Sequence, residues 1–202
     1  HRKELLHGKK NIYPRDRNAL TTLAKCGYTT HEQLWEFLRD KRISGYCKDG
    51  LIEKSVYSQP GGKGQDKTVY HLTSKGRDLC RRELSIDHIY SAQNPAHDLP
   101  LTTRYLSLTE HERATWKTET QCRDILLGHI RQLRNQGEEE RAGELWEKMR
   151  EGHISMPDAL YTASGGVSMA FEVVTDSYGQ AEVEAKEEAA EALDAQIEFC
   201  RA

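Results

Sequence analysis

The chain has 202 residues, of which 37% are hydrophobic and 30% charged, and this content of apolar residues excludes a wholly disordered chain. No apolar run approaches the ~18 residues of a membrane-spanning helix, and no signal-peptide pattern is visible. Residues 1–85 carry 18 Lys and Arg against 10 Asp and Glu, a net charge of +8, whereas the remainder carries 11 against 22, a net charge of −11. This asymmetry predicts two domains with different partners, over residues 1–88 and 95–202.

Two helices are predicted near the beginning of the chain. Residues 14–26 start at Pro14, which suits a first helical turn, and stop before Gly27, which suits a helix end. Residues 29–38 form the second helix, because Thr29 or Thr30 with an acid or amide three residues later resembles a capping box.

A third helix, a β-hairpin and a basic helix are predicted next. The third helix spans residues 40–50 and turns Ile43 and Tyr46 inward. The segments LIEKSVYS and TVYHLT favour strands, and the PGGKGQDK between them favours a flexible hairpin end. The residues SKGRDLCRREL favour a further helix. Three helices followed by a hairpin is the order of a winged helix-turn-helix, and we call the hairpin the wing.

This order predicts that the third helix enters the major groove of double-stranded DNA while the wing contacts the backbone or the minor groove. Cations would hold phosphates, and small residues would allow close approach. The expected DNA-binding residues are Lys41, Arg42, Ser44, Gly45, Lys48, Lys63 and Lys67. Two alternatives stay open, namely that these charges form an ordinary solvated surface and that the unit binds protein instead of DNA.

The second half alternates between helical and strand patterns. Helices are expected over residues 96–108 and in two segments near 124–150, and a strand over residues 114–123. MPDALYTAS and VSMAFEVVT favour a hairpin, and residues 178–199 favour one long acidic helix. The predicted fold class is α+β, with the winged helix followed by a small α/β domain.

Acidic residues at this hairpin are candidates for a metal site. Asp158 and Glu172 would lie on adjacent strands, with Glu119 from the preceding strand as a third acid, and carboxylates suit Mg²⁺. Metal-dependent nucleases usually place a lysine two residues after the second acid, but that position is Val174, and Lys186 on the following helix is a candidate to replace it in space. The alternative is that Asp158 caps a turn and Glu172 faces solvent. We therefore expect no catalytic residue and no cofactor, with Mg²⁺ only if the chain is an active nuclease.

Several blocks in order carry a family resemblance. They are LTTLAKCGYTTHEQL, GLIEK, VYHLTSKG, HDLPLTTRYLSL, MPDAL and AFEVV. Together they resemble the replication-relaxation family of plasmids and integrative mobile elements. The resemblance implies a role in replication, relaxation or conjugative transfer of element DNA. It also implies a second domain like a degenerate PD-(D/E)xK nuclease, with Asp158 and Glu172 as its acids. The missing lysine and a helical insertion near residues 124–150 depart from that pattern.

The expected function is therefore a double-stranded DNA-binding accessory protein, with a winged-helix transcriptional regulator or a metal-dependent nuclease as alternatives. The nine histidines do not cluster as a relaxase requires, so a relaxase or another transfer protein is an expected partner. A homo-oligomer is also possible, and no membrane partner is expected. Five scattered cysteines favour reduced thiols and a cytoplasmic location.

Overall fold

The computed structural model describes residues 11–59, 64–176 and 178–202. These residues form a mixed α+β structure with two separate sheets, which agrees with the predicted fold class at that level. Among the described residues, no helix is both long and apolar enough to cross a bilayer. The five cysteines are free thiols.

The first sheet and its helices form what we call the N-terminal unit, residues 11–90. Its elements in chain order are α1 (Pro14–Cys26), β1 (Thr29–Thr30), α2 (His31–Trp35), α3 (Asp40–Lys48), β2 (Ile52–Tyr57), β3 (Lys67–Leu72) and α4 (Ser74–Leu84). Three helices, a hairpin and a further helix therefore follow one another in the predicted order.

Local sequence explains where the first two helices begin and end. Pro14 occupies the first position of α1, and Gly27 closes it with a φ of 86°, a conformation that glycine adopts without strain. The Thr30 hydroxyl accepts a hydrogen bond from the Gln33 amide, and the Gln33 side chain accepts one from the Thr30 amide. Both predicted boundary signals are confirmed, although α2 is shorter than expected.

The first sheet has the order β1-β3-β2 and is antiparallel throughout. Its register pairs Ile52 with Leu72 at one end and Tyr57 with Lys67 at the other. Apolar side chains from every helix of the unit cover one face of this sheet and form a single core, including Leu20, Leu34 and Ile43. The core fixes α3 against the sheet and leaves the opposite side of α3 outward.

The second half forms what we call the C-terminal unit, residues 95–202. Its elements are α5 (Pro95–Ser107), α6 (Glu110–Thr115), β4 (Lys117–Thr118), α7 (Glu119–Asn135), α8 (Glu139–Glu151), β5 (Ala159–Thr162), β6 (Ser168–Val174), α9 (Gln180–Ala192) and β7 (Gln196–Arg201). The sheet order is β4-β5-β6-β7, with β6 and β7 parallel and the other pairs antiparallel.

The strand predicted over residues 114–123 was wrong. Only Lys117 and Thr118 pair with β5, and Glu119 begins a helix of 17 residues. The Gln121 side chain accepts a hydrogen bond from the Thr118 amide, which is a helix-start arrangement that outweighs the alternating pattern. Glu119 therefore lies in the first turn of α7 and not in a strand.

The single long helix predicted over residues 178–199 was also wrong. The helix α9 ends at Ala192, and Asp194 adopts the left-handed region with a φ of 51°. The following residues pair in parallel with β6, for example Ile197 with Ala170. The helix is thus the crossover that two adjacent parallel strands require, and long-range pairing prevails over local helical periodicity.

The junction between the two units is packed. Cys26 and Tyr90 belong to a core cluster whose other members, such as Leu101 and Trp116, come from the C-terminal unit. The Tyr90 amide donates to the Ala24 carbonyl across 2.8 Å, and the Thr102 hydroxyl donates to the Tyr28 carbonyl across 2.6 Å. Of the segment between residues 88 and 95, Tyr90 is therefore anchored in a core that both units share, whereas Ser91, Gln93 and Asn94 are exposed.

Candidate nucleic-acid interface and a buried charge network

The outward side of α3 carries exposed polar residues. Lys41, Ser44 and Lys48 are exposed, while Ile43 and Tyr46 are buried on the opposite side of the same helix. This alternation follows the helical period, so the inward residues fix the direction of the outward ones. Gly45 is half-buried between the two sides.

Arg42, another of the predicted DNA-binding residues, is half-buried and is bound by a carboxylate of the protein. Its guanidinium donates to both carboxylate oxygens of Asp16, at 2.8 and 2.7 Å, and to the Asn11 carbonyl. Asp16 is only 2% exposed. Burial opposes its ionisation, but the hydrogen bonds from Arg42 and the Tyr13 amide lower the pKa of Asp16 below its usual value. Arg42 therefore neutralises a buried carboxylate and holds α3 to α1.

The wing contributes exposed cations beside this surface. Lys67 lies at the start of β3, and Lys54, which was not among the predicted DNA-binding residues, is exposed on β2. Val56 is 66% exposed in the same strand. Lys63 lies outside the described residues. The alternation within β2 was the signal that could have identified Lys54.

The exposed side of α3 is free of the acidic C-terminal unit. The hydrogen-bonding side chains of α3 bind partners within the N-terminal unit: Arg42 pairs with Asp16, and Asp40 with His31. The C-terminal unit instead packs through α5 on α1 and β1. Within the described ranges, the acidic C-terminal unit therefore leaves Lys41 and Lys48 of α3 exposed.

The two acids proposed as metal ligands are close together but buried. Asp158 precedes β5 and is 5% exposed, and Glu172 in the middle of β6 is fully buried. The antiparallel register pairs Ala159 with Phe171, so the two acids are cross-strand neighbours. The expectation that the hairpin brings them together is confirmed, whereas the alternative of a solvent-facing Glu172 is wrong.

Protein donors bind both carboxylates. The Asp158 carboxylate accepts a hydrogen bond from the Val173 amide at 2.9 Å. Glu172 accepts hydrogen bonds from the Asp158 amide and the Tyr178 hydroxyl, and the Lys186 ammonium lies 2.8 Å from its Oε1. Lys186 thus occupies the place beside Glu172 that the sequence suggested.

A histidine extends this arrangement into α5. His97 Nε2 lies 3.2 Å from Asp158, and its Nδ1 lies 3.0 Å from Asp98, whose carboxylate is fully buried. Although burial disfavours the charged ring, the hydrogen bonds to Asp158 and Asp98 raise the pKa of His97 to about 10. Burial raises the pKa of Asp98. We call the five residues of this chain of charges the buried charge network; they are His97, Asp98, Asp158, Glu172 and Lys186.

The residues at Asp158 and Glu172 do not fit a Mg²⁺ site. Mg²⁺ prefers six oxygen ligands, usually including several waters, but amides, a hydroxyl and two cations already bind these carboxylates. Glu119 follows the end of β4 in the first turn of α7, and its carboxylate pairs with Arg123 one helical turn away. No group of three potential ligands occurs among the described residues. Within the described residues, Glu119 therefore does not complete a three-acid ligand group with Asp158 and Glu172.

Comparisons of the chain with protein-family models and with curated proteins found no match.

Proposed function

We propose that the chain binds double-stranded DNA through the N-terminal unit, with α3 in the major groove and the wing along the adjacent backbone. The observation that carries this proposal is the exposed side of α3, where Lys41, Ser44 and Lys48 stand outward and uncovered. Lys54 and Lys67 extend the positive surface onto the wing. The helix-helix-helix-hairpin order of a winged helix supports the same placement.

Charge explains how such a surface would bind. Cations that neutralise phosphates release condensed counterions from the duplex, which gives affinity that falls steeply with salt. The net charge of +8 over residues 1–85 favours approach to DNA, while the net charge of −11 over the rest disfavours contact through the C-terminal unit. This charge difference would therefore turn the N-terminal unit towards the duplex and the C-terminal unit away from it.

We further propose that the C-terminal unit is a scaffold and not a nuclease. Its two candidate acids are buried and saturated with protein donors, and they link α5 to β5, β6 and α9. The buried charge network contains residues from three of the sequence blocks that carry the resemblance to the replication-relaxation family. These blocks are HDLPLTTRYLSL, MPDAL and AFEVV. An accessory role in replication or transfer of a mobile element follows from that resemblance, and a transcriptional regulator is the second candidate.

Fluorescence anisotropy with random-sequence duplex DNA tests DNA binding directly. The variant Lys41→Glu/Lys48→Glu should weaken binding at least about tenfold at low salt, because two phosphate contacts become repulsive. The control is Arg131→Glu/Arg134→Glu, which reverses two exposed charges on α7 in the C-terminal unit. Equal affinities for wild type and the α3 variant would overturn the proposal.

Footprinting on DNA of the parent element then separates the two candidate roles. A regulator that dimerises should protect palindromic half-sites about one helical turn apart. An accessory protein bound as a single copy should protect one uninterrupted, non-palindromic site.

A further inference from the structure

A cleft of about 350 Å³ lies between the two units, on the side of α1 that faces α6. Its lining includes Lys25 and Asn18 from α1 and Arg113 and Glu110 from α6. Clefts of this size at the junction of two units are common places for small ligands.

Among the residues that the structure describes, Lys25 forms no ion pair with a carboxylate. Its ammonium donates to two neutral oxygens, the Trp116 carbonyl at 3.4 Å and the Gln121 amide oxygen at 3.2 Å. Burial lowers the pKa of Lys25, and the nearby ammonium of Lys117 lowers it further. A cation in this position costs free energy that a bound anion would recover.

Arg113 is a second uncompensated cation in the same cleft. Its guanidinium lies over the Tyr105 ring, 6.0 Å from the centroid, and among the described residues it forms no ion pair. A guanidinium presents several donors in a fixed plane, which suits the oxygens of a phosphate group.

The remaining groups of the cleft are consistent with an anionic ligand. Thr21 and Asn18 offer a hydroxyl and an amide on the same side of α1. Glu110 is the one carboxylate among the lining residues, and it is exposed at the rim. Tyr105 is the other titratable lining group, and burial raises its pKa to about 12, so it is neutral near pH 7.

We propose that this cleft binds the phosphate group of a small anion, held by Lys25 and Arg113. The phosphate belongs to a free phosphorylated compound, because the net charge of the C-terminal unit disfavours contact with a duplex. The backbone of bound DNA presents the same oxygens, and the titrations below distinguish the two sources. Such a ligand would contact both units at once, so its binding would stabilise their packing.

Isothermal titration of the full chain with pyrophosphate at fixed ionic strength tests this proposal. We expect one site per chain, and Arg113→Gln should weaken it about tenfold through loss of a charge-assisted hydrogen bond. Arg123→Gln, which removes an exposed arginine of α7, is the matched control and should leave the affinity unchanged. Absence of binding to the wild type, or equal weakening by both variants, overturns the proposal.

Glu110→Gln gives a readout that does not depend on the folding of the arginine variant. Removal of this rim charge should tighten pyrophosphate binding severalfold, and unchanged or weaker binding counts against the site. A parallel titration with a short duplex distinguishes the sources. Weaker duplex binding by Arg113→Gln assigns the phosphate to DNA, whereas an effect on pyrophosphate alone assigns it to a free compound.

Discussion

His97 Nε2 lies 3.2 Å from the carboxylate of Asp158, and this contact joins α5 to the start of β5. Both side chains are buried, and the other ring nitrogen of His97 faces Asp98 at 3.0 Å. A charged imidazole between two carboxylates is a stable arrangement only while the ring keeps both protons. The stability of the C-terminal unit should therefore depend on pH through His97.

The direction of that dependence follows from the pKa. The ordinary pKa of 6.5 rises to about 10 in the folded chain. The stabilisation is therefore complete below pH 6.5 and is lost as the pH rises from there through about 10. Urea unfolding should show that the difference in unfolding free energy between wild type and His97→Gln shrinks over this range. If the difference in unfolding free energy stays constant between pH 6 and pH 10, the prediction is wrong. The control is His111→Gln, which replaces an exposed histidine of α6.

The main effect of substituting Arg42 should be on the unfolding free energy and not on DNA binding. Arg42→Ala leaves the buried Asp16 carboxylate without its cation, and we expect a loss of about 3 kcal/mol in unfolding free energy. Asp16→Asn should cost less, because it leaves no charge buried and Arg42 can turn towards solvent. Chemical denaturation measures both values. If Arg42→Ala is as stable as the wild type but binds DNA more weakly, Arg42 instead belongs to the DNA-binding surface.

Glu172 should contribute to the stability of the fold and not to metal-dependent cleavage. Glu172→Gln removes the negative partner of Lys186 and should lower the unfolding free energy by about 3 kcal/mol, since a buried ammonium loses its counter-charge. The wild-type chain should not nick supercoiled plasmid with Mg²⁺ or Mn²⁺, because both acids are already bound by protein donors. Agarose-gel assays across several metals check this. Metal-dependent nicking that Glu172→Gln abolishes would establish the nuclease alternative.

Gly27 should not tolerate a side chain. A Cβ at this position would lie 2.2 Å from the Asp98 Oδ2, and its φ of +86° already disfavours other residues. We expect Gly27→Ala to lower the unfolding free energy by about 2 kcal/mol or more. Gly50→Ala is the matched control, because Gly50 also has a positive φ but has nothing within 4 Å of its Cβ. Equal losses in thermal or chemical unfolding would show that only backbone strain matters at Gly27.

The elements whose signals are local can be predicted from the amino-acid sequence. Pro14 and Gly27 bound α1, the Thr30–Gln33 capping box begins α2, and the alternation of α3 separates Ile43 and Tyr46 from the exposed lysines. These features depend on side chains acting on neighbouring backbone, within three or four residues, so a single sequence suffices to find them.

The features that depend on distant partners become visible only in the folded chain. The change from α9 to β7 requires pairing with β6, and the pairing of Arg42 with Asp16 spans 26 residues. Glu172 and Lys186 stand far apart from His97 in the chain, yet all three belong to one buried network. Burial and ion pairing depend on which residues lie close together in space. The local sequence pattern does not indicate which distant charge will neutralise a given side chain.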